Sequence, residues 1–170
     1  MEDYELTKYA AVSFEYLRKA KEQLELYDHG NLHSLFYAAL DLRFGIEMRL
    51  EEYRKVADMR KPRSRRYKAK ELKKELLSAD PEANTEVQVT IGVGDEAVFG
   101  MKYTPVSDKL ANEYSGRLGV LLHKKFKDNE DWIYGRWWKE QRRFLQQVCD
   151  ELEYACSGEM LGVPKIQPKR

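Results

Sequence analysis

Arg117 and His123 are separated by five residues in an otherwise apolar segment, Arg117-Leu118-Gly119-Val120-Leu121-Leu122-His123. A guanidinium holds phosphate through planar, charge-assisted hydrogen bonds, and an imidazole exchanges a proton near neutral pH. Together the two side chains have the chemistry to cleave RNA without a metal ion. The spacing also admits a second reading. On an ideal helix a six-residue offset turns two side chains about 120° apart, which equally suits an Arg paired with a neighbouring carboxylate and a His half-buried at a helix end.

Charge supplies another candidate. The 170-residue chain has a net charge of +1, unevenly distributed. Residues 1–53 carry six Lys/Arg against eleven Asp/Glu, residues 54–74 carry eleven against two, and residues 75–170 carry thirteen against sixteen. Arg60, Lys61, Arg63, Arg65, Arg66 and Lys68 would suit a phosphate backbone or an acidic partner surface, with Tyr67 able to stack on a base. The same run also reads as a solvated loop. The aromatic group Trp132, Tyr134, Trp137 and Trp138 fits a core or a dimer interface, and base stacking is its other reading.

Other constellations are structural. His29 and His33 have the i,i+4 spacing of helical metal ligands, but Gly30-Asn31 falls between them and no third ligand is near. Gly92-x-Gly94 precedes a strand instead of a helix N-terminus, unlike a phosphate loop. Cys149 and Cys156, seven residues apart on one helical pattern, have Cα atoms roughly 10 Å apart, too far for a disulfide. They read as reduced thiols. No Ser or Cys nucleophile sits in an activating motif, and neither a metal nor a cofactor is expected.

Periodicity identifies the elements that would position these groups. Leu6, Tyr9, Ser13, Leu17, Ala20, Leu24 and Tyr27 form one stripe of a long amphipathic helix. It ends at Asp28-His29-Gly30-Asn31, a turn short enough to impose an antiparallel neighbour. That neighbour carries Leu35, Ala39, Leu42, Ile46, Leu50 and Tyr53, widened by Phe36, Leu40 and Phe44, as a central helix would. Residues 54–74 begin as an exposed loop, with a short helix through 69–77. After Ser78-Ala79-Asp80-Pro81 the period changes to two. Thr85, Val87, Val89 and Ile91, then Ala97, Phe99, Met101 and Tyr103, predict a β-hairpin turning at Gly92-Val93-Gly94-Asp95. Such a hairpin is marginal alone and must dock on the helices or pair with another chain.

Pro105 ends the second strand, and Ser107 or Asp108 can cap a helix carrying Leu110, Tyr114, Leu118, Leu121 and Leu122 to about residue 127. The last helix, from about residue 130, bears Tyr134, Trp138, Leu145, Val148, Leu152 and Ala155, with a skipped position at Gln141, and ends at Gly158. The expected fold is mainly α, an antiparallel bundle of four to five helices with one inserted β-hairpin. Residues 1–160 form a single domain, with the basic loop (54–74) and the hairpin (85–104) inserted, and residues 161–170 form a flexible tail. With 42% hydrophobic residues the chain can build a core. The acidic start lacks a secretory signal and no apolar run reaches the roughly 18 residues of a membrane span. A cytoplasmic protein without a membrane is expected.

Long antiparallel helices, the segment Leu35-Phe36-Tyr37-Ala38-Ala39-Leu40-Asp41-Leu42-Arg43-Phe44-Gly45-Ile46-Glu47 and the later Arg117-x5-His123 together resemble the HEPN superfamily. The resemblance spans roughly residues 5–55 and 108–156 and is specific only at Arg117 and His123. It implies an RNA-binding, defence or toxin-type protein, many of whose relatives are metal-independent endoribonucleases that act as homodimers with a composite site. Arg117 would then hold the scissile phosphate, His123 would serve as general acid or base, and Glu47 could orient either. Glu47 also fits an i,i+4 ladder of Arg43, Glu47, Glu51 and Lys55. The residue after the Arg, usually polar in active members, is Leu118. The competing readings are a non-catalytic module that binds a protein partner and a domain that binds nucleotides.

Overall fold

The structure is a computed structural model that describes residues 12–57, 68–93, 96–123 and 135–164. Five helices and a two-stranded antiparallel hairpin make up the described chain. The first apolar stripe forms α1 (Val12–Asp28), with Ser13, Leu17, Ala20 and Leu24 buried. Leu6 and Tyr9 lie outside the described residues. Gly30, at φ 98°, reverses the chain in a left-handed conformation that glycine adopts without a Cβ clash. The next helix, α2 (Ser34–Val56), returns antiparallel and packs along α1.

As its breadth predicts, α2 is central: it contacts all four other helices. The expected widening holds at Phe36, which packs against the core, but not at Leu40 and Phe44, and the buried surface also extends the other way around the helix. Leu40 and Phe44 are exposed, while Ala38, Gly45, Arg49 and Glu52 are buried with the stripe of Leu35, Ala39, Leu42, Ile46, Leu50 and Tyr53. The reason is a polar knot that holds three chain ends. Glu52 accepts hydrogen bonds from the backbone N–H (3.0 Å) and Oγ (2.9 Å) of Ser13, so it caps the start of α1. Arg49 bonds Glu52 (3.1 Å) and donates to the carbonyls of Ala155 (3.1 Å) and Gly158 (3.0 Å), capping the last helix. The Tyr53 hydroxyl accepts from Arg49 Nε (2.9 Å) and donates to the Thr104 carbonyl, where the second strand leaves the hairpin.

Past residue 67 the chain forms α3 (Ala69–Ala79), then a 3-10 turn (Pro81–Asn84) whose first free N–H, on Glu82, bonds the Asp80 side chain (3.2 Å). Strands β1 (Val87–Val93) and β2 (Glu96–Tyr103) pair from Val87 with Tyr103 to Val93 with Glu96. The register slips between Ile91 and Gly92, leaving Val98 without a partner and interrupting the alternation expected there. The hairpin docks by its base. Tyr103 packs on Tyr53 (ring centroids 5.1 Å apart) and donates to the Ala83 carbonyl (2.8 Å). Residues beyond the last helix hold β2 from the other side: Met160 N–H donates to the Lys102 carbonyl (3.0 Å), and Lys102 N–H to the Glu159 carboxylate (2.9 Å). Leu161 and Val163 continue onto the core, so the segment expected to be a free tail is packed at its start.

Lys73, buried in α3, donates to Asn84 Oδ1 (2.8 Å) and the Val106 carbonyl and pairs with Asp108 (2.8 Å). That leaves Ser107 as the cap. Its Oγ accepts from Leu110 N–H (3.0 Å), opening a π-helical turn (Lys109–Tyr114) that continues into α4 (Ser115–Leu122). The last helix, α5 (Arg136–Cys156), buries Trp138, Leu145, Val148, Leu152 and Ala155 between α1 and α2. Ion pairs Arg142–Asp28 (2.8 Å) and Lys21–Glu153 (2.7 Å) flank its contact with α1. Cys149 and Cys156 are free thiols. Among the described residues no helix is long and apolar enough to cross a membrane.

Candidate functional site

Arg117 and His123 share one open cleft. About 620 Å3 in volume, it is lined by Arg117, Val120, Leu121 and His123 of α4 and its C-terminal end, and by Trp137 and Gln141 of α5. Helix geometry explains how side chains about 120° apart can meet there. Val120 lies three residues from each and about 60° from both. It is 72% exposed and sits at the middle of the cleft wall, with the two longer side chains flanking it. Leu118 points the other way and is wholly buried, so core packing accounts for its apolar character.

The walls come from the two flanking helices. On α5, Trp137, Gln141 and Phe144 recur at i, i+4 and i+7 and so share a face. Phe144 is buried, edge-on to the Tyr114 ring (centroids 5.5 Å apart). The Arg117 guanidinium lies over the Phe144 ring, 3.7 Å from its centroid. Stacking of this kind positions the cation and leaves its N–H edges for an in-plane acceptor. Arg117 has no ion pair or hydrogen bond among the described residues, contrary to the carboxylate-paired reading. His123 is exposed at the end of α4, where φ −101° and ψ 5° leave the helical path and its N–H closes on the Gly119 carbonyl (3.1 Å). No carboxylate belongs to the described lining.

Glu47 is not brought to the pair. It is 3% exposed and accepts from Arg43 Nε (3.3 Å), its only hydrogen bond among the described residues, as in the first step of the i,i+4 ladder. Two further ion pairs of α2 run at i,i+3, Arg49 with Glu52 and Arg54 with Glu51. Burial raises the Glu47 carboxyl above its ordinary value, with Arg43 opposing. Of the basic run, Lys68 is exposed at the start of α3. Arg60, Lys61, Arg63, Arg65, Arg66 and Tyr67 lie outside the described residues, as do Trp132 and Tyr134. Trp138 belongs to the core, against Tyr27 and Phe36 (centroids 6.4 and 5.9 Å), whereas its neighbour Trp137 faces the cleft.

Two other hollows differ in chemistry. One, of about 290 Å3, is bounded by Glu86, Asp108 and Glu151, each paired with a lysine: Lys102, Lys73 and Lys109. Another, of about 350 Å3, lies between Tyr53, Tyr103 and residues 161–163. Among the described residues no three of His, Cys, Asp or Glu form a group that could hold a metal ion. Sequence reasoning missed Phe144 and Gln141. The signal was the skipped position itself: a polar residue interrupting the apolar stripe of α5 marks where that face opens to solvent. Comparisons with protein-family models, characterised proteins and solved structures give no match.

Proposed function

We propose that the chain is a HEPN-like RNA-binding protein that cleaves RNA without a metal ion, with Arg117 and His123 as its reacting pair. The observation that carries this reading is that both side chains line one solvent-open cleft whose described walls hold no carboxylate. In the reaction a ribose 2′-hydroxyl attacks the adjacent phosphorus, forming the P–O2′ bond as the P–O5′ bond breaks. The products are a 2′,3′-cyclic phosphate and a 5′-hydroxyl, and the 2′-hydroxyl proton is replaced by one delivered to the leaving oxygen. His123 serves as acid or base for these transfers, and Arg117 stabilises the charge gathering on the phosphoryl oxygens.

A second copy belongs to the proposal. One imidazole cannot supply a base and an acid on opposite sides of the phosphorus at once, and two facing copies bring two. The exposure of Val120 at the middle of the cleft wall supports such a neighbour. Lys68 and the basic run before it would contact the flanking phosphates. The test is cleavage of labelled single-stranded RNA with and without chelator by the wild type, Arg117→Ala and His123→Ala. Chelator-resistant cleavage that falls about 100-fold or more in His123→Ala is expected. Equal cleavage by His123→Ala rejects the assignment.

A second reading has its own observation. Tyr37, Leu40 and Phe44 recur at i, i+3 and i+7 along α2 and are all exposed, an apolar ridge of the kind that receives a protein partner. On that reading the chain is an interaction module, and RNA cleavage is absent at every protein concentration.

A further inference from the structure

Gln141 and Trp137 stand opposite the Arg117–His123 pair and have no part in the cleavage chemistry. Gln141 is half-buried, lines the cleft and makes no hydrogen bond among the described residues. An amide has two donors and an acceptor, and with no partner among the described residues those of Gln141 are available to a ligand in the cleft. It also occupies the one polar position of an otherwise apolar helical stripe, between Trp138 and Leu145. Trp137, one turn before it, is half-buried and borders the same cleft, edge-on to Trp138 (ring centroids 5.0 Å). Val120 faces them as an exposed apolar wall.

An aromatic face, an unpaired amide and an apolar wall within reach of a guanidinium are the parts of a base-binding subsite beside a phosphate-binding one. We propose that Trp137 and Gln141 receive the base of a single-stranded RNA nucleotide whose phosphate lies at Arg117. Trp137 stacks on the ring, and the Gln141 amide reads its edge. A glutamine amide matches the adjacent acceptor and donor of adenine at N7 and N6, so adenine is the favoured base. The inference rests on the RNA reading and adds to it the selection of sequence.

The test separates the two. On a His123→Ala background that prevents turnover, binding of fluorescent single-stranded rA, rC, rG and rU decamers is monitored by anisotropy across a salt series. Tighter binding of rA by the full-length chain is expected. Trp137→Ala should weaken every decamer roughly tenfold without changing the salt slope, because stacking neutralises no phosphate. Trp137→Phe should restore most of that loss, and its thermal midpoint shows that the fold is kept. Gln141→Leu should abolish the preference for rA while rC and rU bind as before. Arg117→Ala, in contrast, should reduce the salt slope by about one. If RNA binds but Trp137→Ala and Gln141→Leu leave affinity and base preference unchanged, the subsite is wrong and the RNA reading stands. If no decamer binds, both fall.

Discussion

Glu47 and Glu52 are both nearly inaccessible on one helix, and their surroundings set opposite expectations. Glu52 accepts from Ser13 twice and from Arg49, so its charge is matched. Replacing it by Gln leaves the Arg49 guanidinium buried without a countercharge, which should cost roughly 3 kcal/mol in urea unfolding at pH 7. Among the described residues Glu47 has only Arg43, and burial lifts its carboxyl above 4.5. A carboxyl raised in the folded state contributes stability that is complete below its unfolded value and is lost as pH rises through the folded value. Wild-type stability should therefore decline relative to Glu47→Gln as pH is raised from about 4.5, the ordinary value. Denaturant midpoints across that range measure it, and parallel curves would contradict it. Burial likewise pushes the Cys149 thiol up to about 12. Because the thiolate is the reactive form, iodoacetamide at pH 8 should leave Cys149 unmodified in the native chain and label it on unfolding, as read by peptide mass.

At the scale of elements, the hairpin is held by the residues just past α5. A Cβ at Gly158 would lie 2.7 Å from Thr104 N and 2.9 Å from the Lys102 carbonyl oxygen, both backbone atoms that cannot turn aside. Gly158→Ala should then destabilise by about 1–3 kcal/mol, with faster amide exchange at Lys102 and Met160 than at the core of α2. Unchanged exchange at those amides would show that the hairpin does not depend on this contact. The alternation of Val87, Val89, Met101 and Tyr103 made the hairpin legible in the sequence. Its anchorage was not, because Tyr53, Ala83 and Met160 come from three distant stretches of chain. The start of α4 divides the same way. Ser107 and Asp108 are equivalent caps locally, and Lys73 decides between them by taking Asp108.

For the whole molecule the proposed second copy sets a further expectation. Val120 is exposed in the monomer, so Val120→Asp should change stability by no more than about 0.5 kcal/mol. In the proposed assembly the same carboxylate would be buried and would repel phosphate. Sedimentation should show association lost in Val120→Asp, and RNA cleavage should fall with it. A wild-type chain that cleaves at an undiminished specific rate when diluted to a monomer would remove the second copy from the mechanism.

Periodicity determined the helices, the hairpin and the main buried stripes of α1, α2, α4 and α5, because burial of one face writes its repeat into the sequence, while Ala38, Leu72, Leu76, Val106, Phe144 and Cys149 are buried outside those stripes. Residue type and spacing marked Arg117 and His123 as chemically able, and the α5 stripe marked Gln141 as a break. That these residues face one another was decided only by tertiary structure. The rotation of α4 against α5, which puts Leu118 in the core, Val120 in the cleft and Arg117 over Phe144, depends on packing between segments far apart in the chain. A repeat along one helix gives the direction of each side chain relative to that helix. Which neighbour lies in that direction is a property of the assembled bundle.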